Sequence, residues 1–498
     1  MAQPSLRPVP KIINQRVSAE NVRGGGAAVI ETELYAADKK IYPRAVTGWF
    51  AAWRWVLVWA TQLVFYGGAW LTWNDRQAIL FDIAHRKFYI FGLVFWPQDI
   101  VYLTVLLIIA ALSLFLFTAV AGRLWCGYAC PQTVYTEIFL WIERLIEGDR
   151  LQRMKLDRPG WTARKVALKA AKHAAWIAAA LWTGFTFVGY FTPIRELGAE
   201  VLALISWTAE AARPGLGPWE TFWILFYGFA TYGNAGWMRE QVCVYMCPYA
   251  RFQSAMFDKD TLIITYDPER GEPRGARSKS ADYRARGLGD CVDCSICVQV
   301  CPTGIDIREG LQYQCIGCAA CIDGCDQVMD RMGYPRGLIR YSTQNALEQK
   351  LTRREILARA LRPRVLIYAA ILWAIIIATA AGLWLRVPLK VDVIRDRSVI
   401  AREVAGGDVE NVYRLMIINT AERARVFDIE ATGLPTIHVE GDTHVTVPPA
   451  DSRLVPLRVR VHVGPGAVAP GQHEIHFLVH AHDDPGVYRR EKSIFIVR

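Results

Sequence analysis

The stretch CVDCSICVQVCP at residues 291–302, followed after a short spacer by CIGCAACIDGCD at 315–326, decides how the rest of the chain is read. Each half is a C-x2-C-x2-C-x3-C run, the spacing that holds a cubane iron–sulfur cluster. In a paired arrangement three close cysteines serve one cluster and the fourth reaches across to the other. The spacing therefore predicts one [4Fe–4S] on Cys291, Cys294, Cys297 and Cys325, and a second on Cys315, Cys318, Cys321 and Cys301. Zinc ribbons use two C-x2-C knuckles and have no need of this run given twice. Disulfides at this density are disfavoured on a Lys/Arg-rich segment facing a reducing compartment.

The chain of 498 residues is too long for one ordinary core, so several domains are expected. Eighteen tryptophans and a positive mean hydropathy point to a membrane protein with interfacial aromatic belts. The formal charge of +10 fits basic residues collected on cytoplasmic loops, and no nucleic-acid motif competes with that reading. All twelve cysteines lie between Cys126 and Cys325.

Working outward, residues 1–48 read as a polar cytosolic tail without the apolar core of a cleavable signal peptide. Five apolar segments follow at about 51–73, 99–122, 173–192, 219–237 and 365–385, each near the length needed to cross a bilayer. Lys and Arg number seven in the tail, three in 74–98, ten in 123–172 and two in 193–218. The positive-inside rule then puts the N-terminus, 123–172 and 238–364 in the cytosol, and the C-terminus outside. Residues 136–155, TEIFLWIERLIEGDRLQRMK, predict an amphipathic helix on the membrane surface or against the cluster domain. Beyond residue 390, short β-rich runs such as RVFDIEA and HVTVPP recur between turns, as in an antiparallel immunoglobulin-type sandwich.

The expected organisation is thus a multi-domain membrane protein. A tail (1–48) precedes an α-helical four-span domain (49–248) and a cytosolic α+β dicluster ferredoxin-like domain (249–364). A fifth span (365–386) then leads to an all-β immunoglobulin-like sandwich on the periplasmic side (387–498).

The four remaining cysteines form a second pattern, Cys126-Gly-Tyr-Ala-Cys130-Pro131 and Cys243-Val-Tyr-Met-Cys247-Pro248. Both are C-x3-C-P after the second helix of a pair, so a two-fold repeat would bring them to one site. Either the cysteines share a helix face, or Pro131 and Pro248 open new helices and the cysteines mark their ends. Buried structural cysteines are the bland alternative. The functional alternatives are a redox-active dithiol, a soft-metal site for Cu(I) with Met246 beside Cys247, or ligands of another cluster. Arg123, Arg239 and Arg251 are placed to lower thiol pKa values. His476, His480 and His482 share a strand face by parity, near His473, and offer a metal patch or a solvated face. No pair of span histidines exists for haem.

The runs RLWCGYACPQTVYTEIFLWIERLIEGDR (123–150), REQVCVYMCPYARFQSAMFDKDTLIITYDPERGEPRG (239–275) and the cysteine-rich block from Gly289 resemble the cytochrome c oxidase accessory protein family CcoG, also called FixG or RdxA. The resemblance covers nearly the whole chain past residue 40 and departs at no cysteine. It implies a protein of the bacterial inner membrane that reduces Cu(II) to Cu(I) for assembly of cbb3-type cytochrome oxidase, with copper as substrate. On that reading Cys126, Cys130, Cys243 and Cys247 carry the chemistry. The implied partners are the bilayer, a copper carrier or copper-transporting ATPase, the oxidase assembly machinery and an unidentified electron donor. A quinol-linked respiratory subunit and a non-catalytic copper-binding scaffold are the competing readings.

Overall fold

The computed structural model describes residues 40–206, 216–396, 401–404, 407–463 and 468–497. The tail expected over 1–48 lies, for residues 1–39, outside the described residues. From Pro43 onward the chain forms one compact unit.

Five helices correspond to the apolar segments: α1 (Trp49–Gly68), α2 (Ile100–Ala121), α5 (Ala163–Val188), α6 (Pro218–Thr231) and α9 (Pro363–Trp384). Between them lie α3 (Leu124–Tyr128), α4 (Pro131–Glu147), α7 (Pro248–Met256) and α8 (Ala320–Met332). By length and composition α2, with its preceding turn, and α9 qualify to cross a membrane, at mean hydropathies of 2.8 and 2.3. Ile100, Val101, Leu103, Leu106 and Leu107 of α2 are all exposed. A helix apolar on every side and uncovered by protein needs lipid around it. The Tyr102 hydroxyl donates to the Gly382 carbonyl at 3.1 Å, setting α2 beside α9.

The other three helices differ from their expected bounds. The first ends at Gly68, and Thr72–Trp73 already pairs as a short strand. The third starts at Ala163, ten residues before the expected 173, because Thr162 caps it by accepting from the Lys165 amide at 3.2 Å. The fourth gives way after Thr231 to a wide π-helical turn, Tyr232–Met238. α5 and α6 touch backbone to backbone at Gly184 and Gly228, where a Cβ on Gly184 would sit 2.3 Å from the Ile224 carbonyl oxygen. Only a residue without a side chain lets two helix backbones approach this closely.

The two ends of the α2–α9 pair carry different domains. At one end Asp99, buried, accepts from Arg386 at 2.8 Å and Lys390 at 2.5 Å. There a small antiparallel sheet of β1 (Ile79–Asp82), β2 (Lys87–Ile90) and β3 (Leu93–Phe95) leans on the C-terminal sandwich. Val94 and Trp96 pack on Ile418, and Lys87 pairs with Asp451 at 2.9 Å. At the other end the last carbonyls of α2 are met by the cysteine-rich domain. Leu262 N–H donates to the Val120 carbonyl at 3.0 Å and Arg362 to the Ala119 carbonyl at 2.6 Å. A cation on exposed helix-end carbonyls is favoured by the helix dipole as well as by hydrogen bonding.

In the cysteine-rich domain β4 (Ile263–Tyr266) pairs antiparallel with β5 (Ile339–Ser342). The C-terminal sandwich has nine strands among the described residues: β6 (Leu389–Arg395), β7 (Arg402–Val404), β8 (Asp408–Asn419), β9 (Arg425–Thr432), β10 (His438–Gly441), β11 (His444–Val447), β12 (Ser452–His462), β13 (Gly471–Ala481) and β14 (Asp484–Val497). One sheet runs β10-β12-β8-β6, with β7 also on β8; the other runs β11-β9-β13-β14. The strict alternation of β12 puts Val455, Leu457, Val459 and Val461 inside and the residues between them outward. They meet Phe427, Phe477 and Phe495 of the facing sheet. Tyr413 is fully buried, and its hydroxyl donates to the Ile494 carbonyl at 2.8 Å.

α1 is tied to the cysteine-rich domain at its first turn. Asp323, on α8 between Cys321 and Cys325, accepts from the Ala51 amide at 2.7 Å and the Phe50 amide at 3.3 Å. Gly48 allows this approach, since a Cβ there would lie 2.4 Å from the carboxylate. A buried carboxylate on free helix-start amides is a charge-assisted cap. Asp323→Ala should therefore destabilise the protein by about 2 kcal/mol, and Asp323→Asn by less. Thermal melts followed by circular dichroism check this; equal melting of wild type and Asp323→Ala would contradict it.

Candidate functional site

The two cysteine runs repeat one backbone. After the first cysteine of each, Asp293 (φ 51°) matches Gly317 (φ 70°), and Ser295 (φ 54°) matches Ala319 (φ 59°). Each run then enters a helix, Ile296–Gln299 or α8. Non-glycine residues held in the left-handed region are uncommon and concentrate where a loop shape is fixed by function.

The loops surround two small, apolar-lined cavities. Cys291, Cys294, Cys297 and Cys325 line one, with Tyr266 and Met329. Cys301, Cys315, Cys318 and Cys321 line the other, with Ile264 and Ile307. The crossed grouping read from spacing is thus the grouping in space, and Cys297 also reaches the second cavity's wall. Burial pushes the thiols up, to about 12 for Cys315 and Cys325 and about 11 for Cys297. Neighbouring thiolates push the same way, and Arg308 only partly opposes this at Cys297. Thiols raised in this way, at Cys297, Cys315 and Cys325, would be thiolates only around strongly cationic centres. Soft donors in two enclosed, apolar cages fit iron–sulfur clusters.

The C-x3-C-P motifs take the helix-end form. Cys130 and Cys247 have extended backbones (φ −62°, ψ 128° and φ −76°, ψ 110°) and directly precede α4 and α7, which Pro131 and Pro248 open. Val242–Met246, leading into Cys247, is a second π-helical turn, closed by Cys247 N–H to the Val242 carbonyl at 2.8 Å. Such turns are rare and occur largely at functional sites. The four thiols form one neighbourhood: Cys243 feels Cys130, Cys126 and Cys247, and Cys130 feels Cys247. The Cys126 thiol contacts the amide oxygen of fully buried Gln253 at 3.7 Å.

This group is packed on the wall of the second cavity. The Gly127 backbone lies on that of Cys318, so close that a Cβ on Gly127 would be 2.8 Å from Cys318 N and Cα. Cys126, Cys243, Cys318 and Cys321 share one apolar cluster with Val300 and Ile316. Tyr341 donates to the Gly317 carbonyl at 2.6 Å, and Arg123 donates to the Tyr313 carbonyl across the same junction.

Three sequence expectations change. Arg123 does pull the Cys126 thiol down, but burial outweighs it; Cys126 and Cys130 are raised, and Cys243 is pushed up to about 12. Arg239 is instead held by Glu143 at 2.9 Å, and the Arg251 side chain lies outside the described residues. Met246 is 58% exposed while the four thiols are buried or half-buried, so it leaves the candidate ligand set. The histidines do not act as a shared strand patch. His480 and His482 turn to Asp428, joined by His444 from β11, while His476 pairs with Glu474. His473 meets the Ala469 carbonyl. Among the described residues no group of three or more His, Cys, Asp or Glu side chains is already drawn together as a metal site, so the cysteine groups would have to close further on binding one.

Residues invisible to the sequence reading hold the motifs together. Glu143, 1% exposed, pairs with Arg153 and Arg239 at 2.9 Å each. Gln132 donates to the Asn234 and Arg239 carbonyls at 2.9 and 3.0 Å. Through them α4, which follows Cys130, grips the segment that leads to Cys243. Glu143 falls on the face of α4 that also buries Phe139 and Leu140, and an acid there was the available signal. The predicted surface helix is broken by Gly148 and packs one face inward while exposing Trp141 and Leu145.

Three family models match the chain. Residues 238–344 match a 4Fe-4S dicluster domain, 103–148 a 4Fe-4S binding domain, and 379–498 the IG-like fold at the C-terminus of FixG. The nitrogen fixation protein FixG of Rhizobium meliloti is 36% identical over 97% of this chain and 97% of its own. Protein RdxA of Cereibacter sphaeroides is 40% identical over 84% of this chain and 88% of its own, and RdxB of the same organism 37% over 88% and 92%. With its two apolar helices, 4Fe–4S domains and matched C-terminal sandwich, the chain belongs to the FixG/RdxA family of membrane iron–sulfur proteins.

Proposed function

We propose that this protein is a cupric reductase serving copper delivery and the assembly of cbb3-type cytochrome oxidase. The observation that carries the proposal is the contact of Gly127 with Cys318, which sets a soft-donor group against the second cysteine cage without an intervening layer. Cys291, Cys294, Cys297 and Cys325 would hold one [4Fe–4S] cluster, and Cys301, Cys315, Cys318 and Cys321 the other. When bound, such clusters supply one-electron storage at a potential the protein tunes by burial and hydrogen bonding. Cys126, Cys130, Cys243 and Cys247 bind the substrate ion. Each Cu(II) takes up one electron and becomes Cu(I), the oxidation state thiolates select. Coordination to the ion offsets the burial that keeps these thiols protonated. A copper carrier or copper-transporting ATPase then removes the product, and an unidentified donor restores the reducing equivalent.

A second reading has its own support: the 4Fe-4S binding domain match at 103–148 includes Cys126 and Cys130. On that reading the quartet holds a further cluster. Replacing all four of its cysteines with serine separates the two. The copper site predicts an unchanged iron content and cluster spectrum, with cupric reduction and tight Cu(I) binding lost, because a serine hydroxyl is a hard, weakly acidic ligand. Iron loss in that variant would establish the cluster reading instead, and full cupric reduction would sink the copper assignment.

The proposal includes five spans, with the cysteine cages in the cytosol and the sandwich in the periplasm, on the contrast of ten Lys and Arg in 123–172 with two in 193–218. A reporter active only in the periplasm should give signal when fused after residue 498 and none when inserted near Gly275. The reverse pattern would overturn the orientation.

A further inference from the structure

We infer that an arginine-lined cavity between α1, α4 and the loop around Cys301 is a binding site for a phosphate-bearing anion. The cavity is a partly open cleft at the junction of these elements. Arg44, Arg54, Arg144 and Arg153 line it, against Glu137 and Asp149. With Arg153 already paired to Glu143, three guanidinium groups face two carboxylates, and the lining stays cationic.

Two of the arginines are buried and under-satisfied. Arg54 is 8% exposed and Arg153 4%, and the Nε of each is buried without a hydrogen-bond partner. The nearest carboxylate to Arg54, on Glu137, stands 3.9 Å away, beyond hydrogen-bonding distance. Arg153 spends its other nitrogens on Glu143 at 2.9 Å and the Pro43 carbonyl at 2.7 Å. A buried guanidinium donor left unmade is costly, and an anion within reach of these groups would lower that cost. Phosphate oxygens suit the planar, forked donors of arginine, and a cationic lining favours an anion.

The surroundings define two sources of that phosphate. Trp55 lines the cavity and meets Trp141 edge-to-face at 6.3 Å, the aromatic setting of a membrane interface, where basic pockets take acidic lipid headgroups. Val300 and Pro302 line the opposite side and flank Cys301, so a soluble phosphate ester there would sit beside the second cysteine cage. The inference does not depend on copper being the substrate.

The test uses the full-length protein purified in detergent. Wild type is compared with Arg144→Gln, Arg54→Gln/Arg144→Gln, and Arg158→Gln, which lies outside the cavity. Retained phospholipid is measured by extraction and mass spectrometry, and inorganic phosphate binding by calorimetry after delipidation. The wild type and Arg158→Gln should retain about one acidic phospholipid per chain or bind phosphate, and the double variant should lose about tenfold in retention or affinity. Arg144→Gln, changing only a half-buried side chain, should shift the same way by less, so the test survives misfolding of the double variant. Retention of lipid identifies a headgroup site, and phosphate binding without lipid identifies a soluble ester. Wild-type protein that holds neither, or an Arg144→Gln variant indistinguishable from it, would overturn the inference.

Discussion

The approach of the Gly127 backbone to that of Cys318 is the constraint on which the site depends. It places a C-x3-C-P motif and a ferredoxin-type loop in direct contact, and only a residue without a side chain permits it. Around it the protein spends buried polar groups. Asp323 caps α1 from within the second cysteine run, Glu143 gathers Arg153 and Arg239, and Gln253 meets Cys126. Buried charges of this kind persist when paired and hydrogen-bonded, and their loss is expensive because the partner is stranded. The result is a fixed relation between the two C-x3-C-P motifs and the cage behind them.

Burial has a second consequence. Burial raises the thiols of Cys126, Cys130 and Cys243, and Arg123 opposes this only in part. A site of this type discriminates by charge and softness together, since a cation must draw out the protons and soft metals do so best. Cysteines that were readily ionised without a metal would also be more open to oxidation. The arrangement suits a site that handles a redox-active ion without consuming its own ligands.

What the sequence made legible was local. The crossed cysteine groups follow from spacing, the helix starts at Pro131 and Pro248 from the geometry of proline, and the strands of the sandwich from alternation in runs such as RLVPLRVRVHV. What escaped it was long-range. Neither the aspartate of CIDGC nor the glycine of CGYAC carries a local signal of its role, because the partners of Asp323 and Gly127 lie far away in sequence. The direction of the thiol shifts escaped for the same reason: desolvation is a property of the packed state, whereas the arginines were visible in the text. The exposure of Met246 and the recruitment of His444 to Asp428 depend on turn and sheet geometry that no period reveals.

The central claim is that electrons held on the cage side reach a copper ion bound by the quartet. The most direct measurement is an anaerobic titration of the reduced, purified protein with Cu(II). Cluster oxidation is followed by visible and paramagnetic resonance spectroscopy, and Cu(I) is counted with a chelating dye. The account predicts one Cu(I) formed for each electron the protein loses, with saturation when the stored electrons are spent. Clusters that stay reduced while Cu(II) remains unreduced in solution would contradict it.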